Sequence, residues 1–445
     1  MFAVLNHPIY RRLFTAQVVS ILGTGLSTVA LGFLALKISP LQAGLVLGMA
    51  FAIRMVANVA VTLAANALLM NVPRMRLLSM LDFSRAAMVL AFPFVYEIWH
   101  IYVLVFLIQS ASAVASPLMQ ATIADTVKGE ADYGRALSMT RFAYDVELVI
   151  SPVLAAALLM VTTFEYLFAG TAAGFVVSGL ILAHTRTEKT TAKIARRDAI
   201  NRIAVGLRAY IDTPALRAVL VLNFAAAGAL CTVLVNTVVL VQVDLGLGES
   251  HTALAVACYG AGSMTLALAL PALSARIPDR IVMVCGGVLI ACALLLAAAL
   301  PSYTMLCCLW FALGIGHSSI QTPAGRVIRA SGDEDLRTAL FVANFSLTHA
   351  VRLSGYLVAG WLGSRAGLPV ALAAAGGIAL AAAALGSLFW RTRRRGQDIH
   401  VHNDLPADHP HLLQVPLFRG RHRHEPIQDS LHGHTDFHHH GVLGR

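Results

Sequence analysis

Residues 71–78 read NVPRMRLL and residues 276–283 read RIPDRIVM, and this pair of stretches decides the fold because it is one motif used twice. The prolines of the two stretches, Pro73 and Pro278, lie 205 positions apart, and an arginine and then an apolar run follow each of them. A match over such a separation indicates a chain built from two related halves.

Two further matches keep nearly the same register. SPLMQATIAD at 116–125 stands opposite TPAGRVIRAS at 322–331, with prolines 206 positions apart. YGRALS at 133–138 stands opposite DLRTAL at 335–340, with arginines 202 positions apart. Generic short basic turns would explain one match but not a common offset, so an internal duplication is predicted.

The composition places the duplicated chain in a membrane. Of its 445 residues 58% are hydrophobic and 13% are charged, and these values lie outside the range of soluble domains. Each membrane helix needs roughly 20 apolar residues. We predict an all-α polytopic membrane protein whose twelve transmembrane helices form two pseudo-symmetric six-helix bundles. The apolar runs are 13–36, 41–70, 77–96, 100–124, 136–161, 164–184, 214–242, 251–275, 281–300, 303–328, 337–361 and 366–390.

Charge placement predicts the topology, because Lys and Arg beside short loops are retained in the cytoplasm. The even-numbered gaps and both ends of the chain carry most of the basic residues, whereas the other side has little more than Lys37 and Arg365. Both termini are therefore expected in the cytoplasm. This rule also accounts for the net charge of +10 without a nucleic-acid partner. The predicted parts are an N-terminal bundle (1–184), a basic central loop (185–213), a C-terminal bundle (214–392) and a tail (393–445).

The twelve runs, the basic central loop and the opening stretch NHPIYRRLFTAQVVSILGTGLSTVAL at 6–31 resemble the major facilitator superfamily, in its bacterial branch of drug, siderophore and metal exporters. The resemblance implies a central cavity between the bundles, lined mainly by spans 1, 4, 7 and 10, that opens alternately to each side. The chain departs from drug/proton antiporters in span 5, where Ser151-Pro152 and Ala155-Ala156 replace a Gly-Pro and paired glycines.

Ionisable residues inside the spans mark candidate functional positions, because such groups are costly in hydrocarbon. Asp82 and Arg85, three residues apart, suit an intrahelical ion pair. Arg54 has no partner on its own helix, and Asp145 or Glu147 are the carboxylates available to it. The candidates for translocation and proton coupling are Asp145, Glu147, His317 and His349, since carboxylates and imidazoles bind divalent cations and compete with protons for them. For His317 and His349, a hydrogen bond to a neighbour is the alternative role.

The carboxyl-terminal segment 396–445 holds eleven of the seventeen histidines and little that can form a core. Four pairs follow an H-x-H pattern, and in an extended chain residues i and i+2 project to the same side about 6.6 Å apart. Two imidazoles can then close on one metal ion. A purification tag and a polar tail without a binding role are the alternatives. The predicted ligands are His400, His402, His409, His411, His422, His424, His432, His434, His438, His439 and His440.

An exporter body with a histidine-rich cytoplasmic tail resembles the bacterial nickel-resistance permeases. The resemblance implies efflux of nickel, and also of cobalt in some members. Export of a divalent cation against an inside-negative potential needs a coupled driving ion, and proton antiport is the predicted form of this secondary active transport. The alternatives are a drug or siderophore exporter with an incidental tail, and a metal sensor or store on a membrane scaffold. The chain has no Gly-rich nucleotide loop, so ATP hydrolysis is not expected, and the chain is predicted to be a secondary transporter and not an enzyme. The expected partners are the metal ion as substrate, protons and the bilayer, with no cofactor. The six cysteines form no C-x-x-C pair and are predicted to pack as small apolar residues.

Overall fold

The computed structural model of the protein describes residues 2–68, 73–127, 130–185, 205–274, 276–299, 302–331 and 334–392. Within these ranges the chain forms twelve long helices, each of which overlaps one predicted apolar run. They are α1 (Pro8–Ile38), α2 (Ala43–Leu68), α3 (Arg74–Val89), α4 (Ile98–Thr126), α5 (Glu130–Leu159), α6 (Glu165–Ala183), α7 (Pro214–Val239), α8 (Glu249–Ser274), α9 (Asp279–Ala297), α10 (Tyr303–Arg329), α11 (Glu334–Ala366) and α12 (Leu368–Thr392).

Ten of these helices are long and apolar enough to cross a membrane, so the protein is a multi-pass membrane protein. The two described helices outside that set are α5 and α11. In α5 the apolar part shortens to Val149–Leu159, because Asp145 and Glu147 precede it. His349 and Arg352 interrupt α11 in the same way. That α5 and α11 also cross the membrane, which would make twelve spans, therefore remains a prediction. Both helices lie between the two halves, and this position accounts for their polar residues.

The repeat seen in the sequence has a structural counterpart. Pro73 and Pro278 both stand at the N-cap, immediately before α3 and α9, with similar backbone angles. Proline fixes φ and lacks an N–H donor, so the residue before a helix is a position that tolerates it. Pro117 and Pro323 both lie inside helices, α4 and α10. The two halves thus repeat their helix boundaries and their internal prolines.

An ion pair of reversed polarity joins the same two helices in each half. In the first half Arg74, at the start of α3, pairs with Asp125, near the end of α4. In the second half the carboxylate is at the start of α9, and Asp279 accepts bonds of 3.0 and 2.6 Å from Arg326 near the end of α10. Both halves therefore have an ion pair between the same two helices, but the positive and negative charges are on opposite helices. Arg74 corresponds to Asp279 in the repeat.

Helices α1–α6 pack mainly with one another, and α7–α12 do the same. The two halves meet chiefly where α2 packs on α11 and α5 packs on α8. The rings of Phe51 and Tyr356, with centroids 5.1 Å apart, form one contact of the α2–α11 interface. The interface between the halves therefore includes α5 and α11, the two long described helices that fall outside the apolar set.

If each of the twelve described helices is counted as one crossing, the start of α1 and the end of α12 lie on one face, here called the terminal face; the opposite one is the distal face. Toward the distal face one apolar core spans both halves, with Leu34, Phe51 and Phe168 from the first and Val235 and Tyr356 from the second. Toward the terminal face the cores are separate. One is built from the first half, around Tyr10, Leu13, Leu78 and Met139, and the other from the second, around Tyr210, Leu216 and Leu340. The structure is therefore closed at the distal face.

Candidate functional site

Arg54 and Asn58 lie one turn apart on α2, on the side of that helix that turns toward the polar residues of the other helices. The Nε of half-buried Arg54 donates a 2.9 Å hydrogen bond to Gln109 Oε1 of α4, and its Nη1 donates a 3.4 Å bond to Thr28 Oγ1 of α1. Three helices of the first half are thus tied together at mid-depth through one guanidinium. An arginine so placed needs a counter-charge, because an isolated ion in hydrocarbon is costly.

Glu147 of α5 lies close enough to Arg54 for an electrostatic interaction between the two side chains. The carboxylate lies against α1, where a Cβ placed on Gly25 would be only 2.4 Å from Glu147 Oε1. Only glycine leaves room for it at this crossing. One turn further along α5, Ser151 Oγ donates to the carbonyl of Leu22 at 3.3 Å. Of the two carboxylates predicted as partners of Arg54, Glu147 interacts with it electrostatically without forming a direct ion pair within the described part of the chain, and the side chain of Asp145 lies outside the described residues.

His349 of α11 reaches across the interface between the halves. Its Nε2 lies 3.4 Å from Asn58 Nδ2, and its Nδ1 lies 2.8 Å from the carbonyl oxygen of Phe345. A carbonyl only accepts, so Nδ1 carries the proton and donates to Phe345, and the free lone pair of Nε2 accepts from Asn58. The imidazole is thereby held in one tautomer whose Nε2 faces the first half. A neutral imidazole nitrogen of this kind is a suitable metal ligand.

Arg352, one turn beyond His349, leads from the interface into the second half. It interacts electrostatically with His349, and also with Tyr259 of α8 and Tyr356 of α11. The hydroxyl of fully buried Tyr259 and the Nε of Arg352 find no hydrogen-bond partner within the described part of the chain. Buried polar groups of this kind are rare in native proteins and call for a functional explanation.

His317 of α10 lies at the end of this series of residues. Its Nδ1 is 3.2 Å from the carbonyl oxygen of Ala226 on α7, and its ring centroid lies 5.8 Å from that of Tyr259. The histidine is buried, with 7% of its surface exposed, so it contacts the polar groups of the second half and not the bilayer. The alternative role, a hydrogen bond to a neighbour, is met for both His317 and His349, yet both rings also join the same series.

Seven side chains therefore follow one another from the first half to the second and are here called the polar line: Glu147, Arg54, Asn58, His349, Arg352, Tyr259 and His317. They bring three of the four predicted translocation residues into one structure. The polar line holds one carboxyl group, on Glu147, and two guanidinium groups, on Arg54 and Arg352, so a cation that approaches Glu147 competes with Arg54. Among the described residues no group of three or more His, Cys, Asp or Glu side chains could hold a metal ion. A metal ion bound on the polar line would thus have fewer than three described ligands of these types at one time.

Sequence reasoning did not find Asn58 or Tyr259 as members of the site. A signal for Tyr259 was present, because it lies 205 positions after Arg54, the same separation as Pro73 and Pro278. The repeat places these two residues at equivalent points of α2 and α8. Asn58 had no such signal, since only the packing of α2 on α11 shows what it faces.

The pair Asp82 and Arg85, predicted from its spacing, is confirmed and belongs to the packing of the first half. The two side chains form a buried ion pair within α3. Ser178 donates a 2.6 Å bond to Asp82, while Arg85 donates to Ser112 and Ser20. Serines of α1, α4 and α6 surround the two buried charges. The pair is thus satisfied within the first half, and its side chains are not members of the polar line. The tail histidines predicted to bind metal, from His400 to His440, lie outside the described residues.

Comparisons with known proteins agree with this architecture. The chain matches the family described as the Major Facilitator Superfamily over residues 13–247 and 219–421. It is similar to a solved bacterial homologue of the human lysosomal transporter Spinster, inward-facing and unoccupied, with a TM-score of 0.68 and 15% identity, covering 87% of this chain and 97% of that one. It is also similar to a POT family transporter solved with 5-aminolevulinic acid, with a TM-score of 0.66 and 11% identity over 86% and 96%. No curated protein sequence matches the chain.

Proposed function

The chain belongs to the major facilitator superfamily, and on that premise we propose that it exports a divalent transition-metal ion, nickel first and cobalt second, in exchange for protons. It is a transporter and not an enzyme. The proposal takes residues 1–184 and 214–392 as the two bundles, 185–213 as the loop between them, and 393–445 as a metal-collecting tail. The terminal face is proposed to be cytoplasmic, in a bacterial inner membrane.

The observation that carries the substrate is the pattern of the tail: eleven histidines, eight of them in H-x-H pairs, follow directly after a transporter body. Imidazole suits nickel, cobalt, copper and zinc, and affinity rises from cobalt through nickel toward copper. Tethered ligands raise the local concentration of an ion near the entrance. With the distal face closed, as in this structure, a site between the halves is loaded from the terminal face, where such a tail begins.

The polar line supports a role for Glu147 and His349 in translocation. A carboxylate oxygen from the first half and an imidazole Nε2 from the second approach the interface that changes when the halves rock. The two residues also occupy positions related by the repeat, 202 apart like the arginines of 133–138 and 335–340. We propose that the ion passes between ligands of the two halves. When no ion is bound, Asn58 donates its hydrogen bond to His349 Nε2.

Exchange with protons follows from the energy of the ion. Export of two positive charges against an inside-negative potential costs about 4.6 kcal/mol at 100 mV, from about 2.3 kcal/mol per charge. Entry of two protons cancels this term and leaves the pH gradient as the drive. Glu147 is the proposed proton carrier, because protonation frees Arg54 from its counter-charge and ionisation restores it. Asp145 and His317 remain additional candidates.

One observation favours a second function. Arg54 and Arg352 together outweigh the single carboxylate of the polar line, and guanidinium pairs bind carboxylates and other oxyanions. An anionic siderophore or drug, with the tail incidental, would suit this charge. This alternative and the first differ in the sign of the substrate's charge.

Metal tolerance separates the two functions. Cells with and without the gene would be grown with nickel, cobalt, zinc and a panel of anionic and cationic drugs, and their intracellular metal content measured. We expect the gene to raise tolerance to nickel and to lower the nickel content. Protection against drugs alone, with unchanged metal content, would establish the alternative.

A further inference from the structure

The crossing of α2 and α11 near the distal face is built from glycines. A Cβ placed on Gly48 would lie 2.5 Å from the carbonyl oxygen of Tyr356, and one placed on Gly360 would lie 2.5 Å from the carbonyl oxygen of Gly44. Real Cβ atoms do not come so close to a backbone oxygen, so a larger residue at either position would force the helices apart. The two halves of the transporter therefore meet backbone to backbone at this point.

Asn236 of α7 reaches the same crossing with its side chain. Its Oδ1 would lie 3.5 Å from a Cβ placed on Gly44 of α2, and 3.1 Å from one placed on Gly363 of α11. The amide is thus packed against both helices of the crossing, in the space that the glycines leave free. Since α7 ends at Val239, three residues later, this contact lies near the distal face.

The amide of Asn236 is buried without a hydrogen bond. Only 2% of the residue is exposed, and neither its Oδ1 nor its Nδ2 has a partner among the described residues. The neighbouring hydroxyl of Thr237 is already engaged, because it accepts a 2.8 Å bond from Trp310 Nε1 and donates to the carbonyl of Val233. A buried polar group that has lost water and gained no partner raises the free energy of the state that buries it.

This penalty belongs to the state in which the distal face is closed. Asn236 is part of the second half and Gly44 is part of the first, so rocking of the halves moves α2 away from the amide. Water then reaches Asn236 and forms hydrogen bonds with it, which removes the penalty from the open state. The same side chain therefore destabilises one state of the transporter and not the other.

We propose that Asn236 acts as a conformational bias that favours opening of the distal face. The glycine crossing alone packs the two halves tightly, and the unsatisfied amide beside it keeps the closed state from becoming too stable to leave. The inference rests on the rocking of two halves, whatever the substrate is. It is thus independent of nickel export and of the polar line.

Distances across the distal face test this role of Asn236. Nitroxide labels would be attached at two exposed positions, Leu41 just before α2 and Val370 near the start of α12, through a genetically encoded amino acid that leaves the native cysteines unchanged. Pulsed electron paramagnetic resonance on the full-length protein in nanodiscs gives the ratio of long, open distances to short, closed ones. Asn236→Leu keeps the size of the side chain and removes its polar group, so this ratio should fall about tenfold, the equivalent of about 1.4 kcal/mol.

A second pair of variants covers a parent that is mostly closed and a leucine that does not fit. Asn236→Asp should raise the ratio, because a carboxylate is harder to bury than an amide and ionises once water reaches it. Asn236→Val is the smaller apolar replacement. Both apolar variants should also unfold at a higher temperature than the parent in detergent, since the closed state is relieved of the unsatisfied amide.

The matched control is Asn223→Leu, which removes another buried amide of α7. Asn223 lies 13 residues before Asn236, about 20 Å nearer the terminal face, so its replacement should leave the ratio of distances at the parent value. A ratio that Asn236→Asp does not raise, apolar variants at Asn236 that are no more stable than the parent, or an equal shift of the ratio in Asn223→Leu would each overturn the proposal.

Discussion

Asn58 Nδ2 and His349 Nε2 lie 3.4 Å apart and form a hydrogen bond from one half of the transporter to the other. The contact lies beside the Glu147–Arg54 interaction in the first half and Arg352 in the second. In the proposed alternation between two states, opening of the distal face would separate α2 from α11 and break this bond. The free energy of this hydrogen bond therefore contributes to the free-energy difference between the two proposed states of the transporter.

A double-mutant cycle at Asn58 and His349 should show coupling. Asn58→Ala and His349→Ala remove the same bond, so the double variant should lose less than the sum of the two, with an interaction free energy of about 0.5–3 kcal/mol. His349→Gln keeps an acceptor for Asn58 but offers no imidazole nitrogen, and should restore the coupling without restoring nickel affinity. His184→Gln, on an exposed histidine at the end of α6, is the control. Thermal stability in detergent and nickel binding are the two measurements, and additive losses would show that the contact is not formed.

Glu147→Gln should separate coupling from binding. The amide fills the place of the carboxyl against Gly25 but does not gain or lose a proton in the physiological pH range. Nickel exchange across vesicles without a pH gradient should persist, whereas export driven by the gradient should fall by at least about tenfold, the equivalent of about 1.4 kcal/mol. Glu97→Gln, at the exposed start of α4, is the matched control. Gradient-driven export at the parent rate in Glu147→Gln would exclude this residue as the proton carrier.

Asp82→Asn should destabilise the first half without a specific effect on transport. The change leaves Arg85 as a buried charge without its carboxylate, and the loss of one partner of a buried pair costs about 3–5 kcal/mol. Removal of both charges in Asp82→Asn/Arg85→Leu should cost less than the single change. Thermal unfolding in detergent measures both. A single variant as stable as the parent would mean that the pair is not enclosed as the structure shows.

Removal of the tail should matter at low metal exposure. Deletion of residues 396–445 lowers the local nickel concentration at the entrance but leaves the helices intact. Growth at low nickel should weaken, while the transport rate at saturating nickel is retained. A full-length variant with all eleven tail histidines replaced by Ser is the matched control for length, and it should behave like the deletion. Tolerance and uptake curves equal to those of the parent would exclude a role for the tail.

The fold was largely predictable because its signals are local or repeated. Apolar runs identify helices, and the register of Pro73 with Pro278 and of Pro117 with Pro323 identifies the duplication. The Asp82–Arg85 pair was predictable because both residues lie on one helix face. The polar line was only partly predictable. Glu147 and His349 are visible as polar residues in apolar spans, but the partner of each depends on how α5 and α11 pack, which no local pattern encodes.

The central claim is tested most directly by transport in proteoliposomes that contain the purified protein alone. Nickel and a trapped pH indicator would be followed together after an inside-acidic gradient is imposed, with the terminal face of the measured population outside. We predict that nickel enters the vesicle lumen as protons leave it, that collapse of the gradient stops net uptake, and that Glu147→Gln lacks the coupled proton flux. Uptake of an anionic siderophore in place of nickel, or nickel flux unaffected by the gradient, would contradict the account.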